Sequence, residues 1–161
     1  MGELRIYRIS EKYIKFLHSR DTRVQHNKNS RRPYVGVVLL EGGYKYFVPM
    51  ESPKPNHATI KHGKHIMRMD GGRLGLLGFN NMVPVKDGEL AEVDFSKETD
   101  KQYVRLLTKQ AAFCNKNKAT IMTKAAETYY DVVNGKNSFL KKICCDFKAL
   151  EKACRQYDPT R

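Results

Sequence analysis

The stretch from Tyr34 to Lys54 constrains this chain most. It reads Tyr34-Val35-Gly36-Val37-Val38-Leu39-Leu40-Glu41, then Gly42-Gly43, then Tyr44-Lys45-Tyr46-Phe47-Val48-Pro49-Met50, and ends in Glu51-Ser52-Pro53-Lys54. β-Branched and aromatic residues fill both runs, and the two glycines between them supply the positive φ that a tight turn needs. Such a chain folds around an antiparallel hairpin. The second strand then delivers a carboxylate, a hydroxyl and an ammonium onto a loop stiffened by Pro53, which makes that loop a candidate active site.

The rest of the chain is basic: 30 Lys and Arg against 17 Asp and Glu leave +13 on 161 residues. Residues 1–70 carry 14 basic and 6 acidic side chains, whereas the segment from Lys86 to Asp100 sets two lysines against six acids. The positive field therefore belongs mainly to the N-terminal part, where the hairpin lies. An excess of this kind suits a nucleic acid or an anionic membrane surface. No apolar run approaches the roughly 18 residues of a membrane-spanning helix. The first residues lack a signal-peptide apolar region, and position 6 is Ile rather than the Ser or Thr that follows a myristoylated glycine. A nucleic-acid partner, no membrane and a cytoplasmic location are expected.

The length suits a single domain over 1–161 with its own core. Leu4 to Ile9 reads as a short strand, and Ser10 can cap a helix that carries Tyr13, Ile14 and Leu17 on one face. Arg20 to Pro33 is a polar loop rich in arginine that leads into the hairpin. Short strands are predicted over His65 to Met69, Arg73 to Phe79, Met82 to Val85 and Leu90 to Phe95, separated by Asp-Gly and Asn-Asn turns. From Ser96 the period becomes helical. Helices are predicted around Tyr103 to Cys114, Ile121 to Val133 and, as one last helix, Leu140 to Tyr157. The fold class is α+β: a mostly antiparallel, strongly curved and partly barrel-like sheet, with a helical C-terminal third packed against it. Cys114, Cys144, Cys145 and Cys154 form no CxxC pair, so buried reduced thiols are expected.

Cations and a hydroxyl beside a polyanion suit RNA transesterification, in which the 2′-hydroxyl of the substrate attacks the adjacent phosphate. The protein then needs donors for the nonbridging oxygens and a route for two proton transfers. Near the loop only Glu51 and Asp70 offer carboxylates, and they are far apart in sequence, so a mechanism without metal or cofactor is expected. Ser52 has no Gly-x-Ser-x-Gly surroundings, which argues for a phosphate-binding rather than a nucleophilic serine. His62-x-x-His65 has no cysteine or nearby acid to complete a metal site. His57 is a candidate proton donor to the leaving oxygen. The bland alternatives are a turn serine, a solvated lysine and histidines that meet only solvent.

At these residues the chain resembles the ToxN/AbiQ endoribonuclease toxins of bacterial type III toxin–antitoxin systems. The resemblance rests on Tyr7-Arg8-Ile9-Ser10-Glu11-Lys12-Tyr13-Ile14-Lys15-Phe16-Leu17, on Tyr34-Val35-Gly36-Val37-Val38, Lys45-Tyr46 and Pro49, and on Ser52-Pro53-Lys54 and Asn80-Asn81-Met82-Val83-Pro84-Val85. It continues more loosely through Tyr103 to Gln110, and the order and spacing of these short pieces carry it more than any one of them. The resemblance implies a partly closed sheet similar to the Kid/MazF toxins and metal-independent cleavage of single-stranded RNA, often at A-rich sites. It also implies an RNA antitoxin of pseudoknot repeats, processed by the toxin and held with it in a closed assembly, and a role in phage defence. It assigns the active-site serine to Ser52, the lysine to Lys54 and a basic residue to Arg32. Glu51 stands where the family has threonine, and Lys28 where one branch has a tyrosine; Glu51 can serve as a base, orient Lys54 or pair with it.

The expected catalytic set is therefore Ser52, Lys54, Arg32 and Glu51, with Lys28, Arg31, Tyr34, Tyr46, His57 and Lys61 as RNA contacts. A non-catalytic RNA-binding module explains the charge equally well, with tyrosines stacking on unpaired bases. A DNA-binding protein fits less well, since no groove-reading helix is apparent.

Overall fold

The computed structural model describes residues 2–59, 63, 65–135 and 138–161. The hairpin is formed by β2 (Tyr34–Glu41) and β3 (Tyr44–Glu51), with Gly42 and Gly43 at φ of 57° and 82° in the turn. Two successive positive φ values match the right-handed twist of the paired strands. Ahead of it come β1 (Arg5–Ile9) and α1 (Glu11–Arg20), the latter started by Ser10, whose hydroxyl accepts from the Tyr13 N–H at 3.3 Å. After it come β4 (Ile66–Arg68), β5 (Leu76–Gly78), β6 (Val83–Pro84) and β7 (Leu90–Glu92).

These strands make one seven-stranded antiparallel sheet in the order β4-β5-β3-β2-β1-β7, with β6 beside β3. The path is open, because β4 and β7 end it without pairing to each other among the described residues. β3 is central. One of its edges pairs with β2; the other pairs with β6 at Tyr46 and Phe47 and with β5 at Met50 and Glu51. The end of β3 is thus held on both sides just before the chain turns into Ser52.

The four short strands are briefer than the sequence predicts. Asp70, Gly71, Gly72 and Gly75 all adopt positive φ, so the chain before β5 coils instead of extending. Gly75 must be a glycine: a Cβ there would lie 1.9 Å from the Glu51 carbonyl oxygen. Beyond β7, Asp94 accepts from the Ser96 N–H at 3.0 Å and starts a turn at Phe95.

The helical layer consists of α2 (Lys101–Lys116), α3 (Lys118–Val133), α4 (Ser138–Ile143) and α5 (Phe147–Gln156). One last helix was expected where the chain makes two. The break falls at Asp146, whose N–H donates to Asp21 at 2.7 Å and whose carboxylate caps α5 at the Ala149 N–H. α3 packs on β2, and α5 packs on β6 and α1. In the core between them Glu151, 5% exposed, accepts from the Tyr46 and Tyr129 hydroxyls at 2.7 Å each. All four cysteines are buried free thiols. No helix among the described residues is long and apolar enough to cross a membrane.

Candidate functional site

The site grows out of the end of β3. Glu51 is the last residue of the strand, and Ser52, Pro53 and Lys54 follow as an exposed loop. A 3₁₀ turn over Pro55–Ala58 then brings His57 back beneath them. The Glu51 carboxylate receives the Lys54 ammonium at 3.1 Å and lies 4.0 Å from His57 Nε2. The Lys54 backbone N–H donates to His57 Nδ1 at 3.2 Å, which makes Nδ1 the acceptor and leaves the ring proton on Nε2, facing Glu51. His57 therefore joins the two ends of the loop. From the other side, a Cβ at Gly72 would meet the His57 carbonyl at 2.7 Å, so two glycines of the coil before β5 fit closely under this loop.

The second arm comes from the loop before β2. Lys28, Asn29 and Ser30 have φ of 52°, 56° and 65°, a left-handed run of side-chain-bearing residues that ordinary sterics disfavour. It is held by the Arg31 and Arg32 N–H groups, both of which donate to the Asn27 carbonyl, while the Asn27 amide donates to the Ile9 carbonyl at 2.7 Å. This turn aims Arg32 at the hairpin. The guanidinium, 9% exposed, donates to the His26 carbonyl at 2.8 Å and reaches the Met50 carbonyl at 3.5 Å, one residue before Glu51. Lys28 and Arg31 stay exposed on the same turn.

Electrostatics ties the two arms together. The Arg32 guanidinium, with burial and the Lys54 ammonium, holds Lys28 below the ordinary lysine range, while Glu51 pulls it the other way. Among the described residues, Lys28, Arg31, Arg32 and Lys54 thus crowd one small region, with Glu51 as the carboxylate that interacts with Lys28 there. An anion bound there relieves their repulsion. The Ser52 hydroxyl is exposed and has no hydrogen-bond partner among the described residues.

Of the residues singled out from sequence, Ser52, Lys54, Glu51, Arg32, Lys28 and Arg31 lie on these two arms. Three others need correction. Tyr34 and Tyr46 are 1% and 0% exposed, with Tyr46 committed to Glu151, so neither ring can stack on a base. The near-continuous apolar run of β2 signals burial on both faces, and that burial includes Tyr34. His57, at 2% exposed, is buried against Lys54 and Glu51, a place suited to positioning the loop and not to an open contact with RNA. Lys61 and His62 lie outside the described residues. Among those described, no group of three or more His, Cys, Asp or Glu side chains could hold a metal ion. Sequence reasoning passed over Gln25, which the fold sets beside Asn81, its amide donating to the Asn81 side chain at 2.9 Å. An uncharged amide inside an arginine-rich loop was the available signal.

The sequence pattern of the family described as "Toxin ToxN, type III toxin-antitoxin system" matches residues 5–155. The chain is 38% identical to the endoribonuclease ToxN of Bacillus thuringiensis subsp. kurstaki, over 95% of this chain and 84% of that protein. A solved structure described as selective toxin inhibition by a non-coding RNA pseudoknot in type III systems superposes with a TM-score of 0.86, at 34% identity, covering 97% of this chain and 98% of the other. AbiQ, described as a lactococcal anti-phage endoribonuclease, superposes with the same TM-score of 0.86 at 29% identity, covering 97% and 98%. The match spans both arms of the site and the helical layer behind them, and the chain belongs to the ToxN family of type III toxin–antitoxin toxins.

Proposed function

We propose that this protein is an endoribonuclease toxin that cuts single-stranded RNA without a metal ion, inhibited by an RNA antitoxin. The observation that carries the reading is the crowding of Arg32, Lys28 and Lys54 around the loop of Ser52, with the Lys28 ammonium destabilised by its neighbours. Arg32 and Lys54 neutralise the scissile phosphate, and Ser52 donates a hydrogen bond to it. Glu51 holds Lys54 in place, and His57 fixes the loop through the Lys54 N–H. The 2′-oxygen bonds to phosphorus as the bond to the 5′-oxygen breaks, and one proton passes in net from the 2′-hydroxyl to the departing oxygen. The products are a 2′,3′-cyclic phosphate and a 5′-hydroxyl.

The domain so proposed takes in 1–161. The partner is a pseudoknot RNA, by analogy with the relative described as inhibited by one. The relative described as an anti-phage endoribonuclease supports a role in phage defence, and a cytoplasmic setting and a curved sheet akin to Kid/MazF belong to the same proposed reading. Ser52→Ala in EDTA should lower the cleavage rate by roughly 10²–10³-fold, the cost of one transition-state donor. Its melting temperature should not change, since the side chain is exposed. Undiminished cutting by the variant would remove Ser52 from the mechanism.

A further inference from the structure

Asn27 stands directly before the left-handed run of Lys28, Asn29 and Ser30, and at 1% exposed it does not itself meet an RNA. Its place follows from the register of the sheet. β1 on β2 pairs Arg5 with Gly36, Ile6 with Val35 and Tyr7 with Tyr34, so the same register continued sets Ile9 opposite Arg32. Successive residues of a strand turn their backbone polar groups to opposite edges. The Ile6 carbonyl and the Ser10 N–H bond toward β7, to the Val93 N–H at 2.9 Å and the Glu89 carbonyl at 3.0 Å. The Ile9 carbonyl therefore faces the other edge, toward Arg32.

Arg32 does not take that rung. Its N–H donates to the Asn27 carbonyl at 3.2 Å, and the Asn27 Nδ2 donates to the Ile9 carbonyl at 2.7 Å. Asn27 is thus inserted where the two strands would have met, holding Ile9 by its side chain and Arg32 by its main chain. The carbonyl of the preceding residue, His26, takes the Arg32 guanidinium at 2.8 Å. Two consecutive residues therefore fix both the backbone and the head group of Arg32. The Asn27 Oδ1, meanwhile, is buried and has no hydrogen-bond partner among the described residues. A side chain serving stability alone would not bury an acceptor unpaired.

We propose that Asn27 is a positioning residue for the cleavage site: its side-chain amide replaces one rung between β1 and β2, and so sets where Arg32 meets the RNA phosphate. This rests on the endoribonuclease reading above. Without the amide the turn loses its tie to Ile9, and the left-handed run of Lys28, Asn29 and Ser30 is free to relax toward ordinary φ, carrying Arg32 with it. A displacement of about 1 Å in a group that meets the transition state costs on the order of 10²-fold in rate.

The test is a double-mutant cycle of Asn27→Ala and Arg32→Ala, read as single-turnover cleavage of a labelled single-stranded RNA. Asn27→Ala alone should lower the rate by about 10–100-fold, and in Arg32→Ala protein it should lower the remaining rate by less than about threefold. Loss of folded protein would instead scale both rates by one factor, and thermal melts give the folded fraction. Asn27→Asp keeps the shape but sets a carboxylate against the Ile9 carbonyl; protonation returns an O–H donor. Its rate relative to wild type should rise at least about fivefold from about pH 8 to about pH 5, which decides the matter should Asn27→Ala fail to fold. The cycle is repeated on affinity for the same RNA with 2′-deoxyribose at the cut linkage. If wild type binds but does not cut, the nuclease reading falls, and coupling of the two substitutions in affinity still decides the role of Asn27. Equal factors in both Arg32 backgrounds, or an Asn27→Asp rate in constant ratio to wild type at every pH, overturns the proposal.

Discussion

Strand β3 carries one side chain into a finished polar network and, five residues later, another into an unfinished one. Tyr46 enters the helical layer and donates to Glu151, a buried carboxylate that also receives Tyr129 at 2.7 Å and lies 3.4 Å from the Lys148 ammonium. Glu51 ends the strand at the surface, where Lys54 is its close partner at 3.1 Å and the cations of the opposite arm outnumber it. The first network has its charge answered by hydrogen bonds from inside the protein, as burial demands. The second leaves positive charge and a serine hydroxyl without answer. The difference separates structure from function in this fold: the buried carboxylate completes the core, and the exposed one belongs to the site that, on the proposed function, an RNA phosphate completes.

Substitutions at the two ends of β3 should therefore fail in different ways. Lys54→Ala should cost most in activity, roughly 10²–10³-fold in cleavage rate, with little change in urea midpoint. A variant that loses stability as much as activity would erase the distinction. Glu151→Ala should do the reverse. It strands two buried tyrosine hydroxyls, and equilibrium unfolding should show a loss of about 2–4 kcal/mol, at roughly 1–3 for each hydroxyl and less than additive. Any cleavage defect should follow the folded fraction.

Much of this contrast was legible in the sequence where it depends on neighbours along the chain. The Gly42-Gly43 turn, the Ser10 cap and the Glu51-Ser52-Pro53-Lys54 order are local, and the fold realises them over nearly the boundaries expected. What depends on partners distant in sequence was not legible. The split between α4 and α5 answers to Asp21, 125 residues before Asp146. Gln25 and Asn81 meet only because the arginine-rich loop returns to the sheet beside β5. The burial of Tyr34, Tyr46 and His57 follows from which faces the helices and the Gly72 turn cover, which a tyrosine's or histidine's own chemistry does not announce.

The smallest effect expected concerns the staple between the basic loop and the helical layer. Burial pushes the Asp21 carboxyl up, but the hydrogen bonds from Arg23 and from the Asp146 N–H together outweigh it and hold the group below the usual aspartate range. A depressed folded-state pKa contributes stability above the unfolded value near 3.9, and that stability is lost as pH falls through the folded value. Asp21→Asn should thus cost about 1–3 kcal/mol at pH 7 and progressively less below pH 4. Denaturant melts of both proteins across that range check the sign; a penalty independent of pH would show that the charge of Asp21 is irrelevant.

On the proposed mechanism, cations and a hydroxyl suffice because the RNA supplies its own nucleophile. The most direct test is to incubate metal-stripped protein in EDTA with a labelled single-stranded RNA and with the same RNA carrying 2′-deoxyribose at the cut linkage, and to identify the ends formed. The expected products are a 2′,3′-cyclic phosphate and a 5′-hydroxyl from the ribose substrate, with no cleavage at the deoxy linkage. A 3′-hydroxyl with a 5′-phosphate, or cleavage at the deoxy linkage, would contradict it.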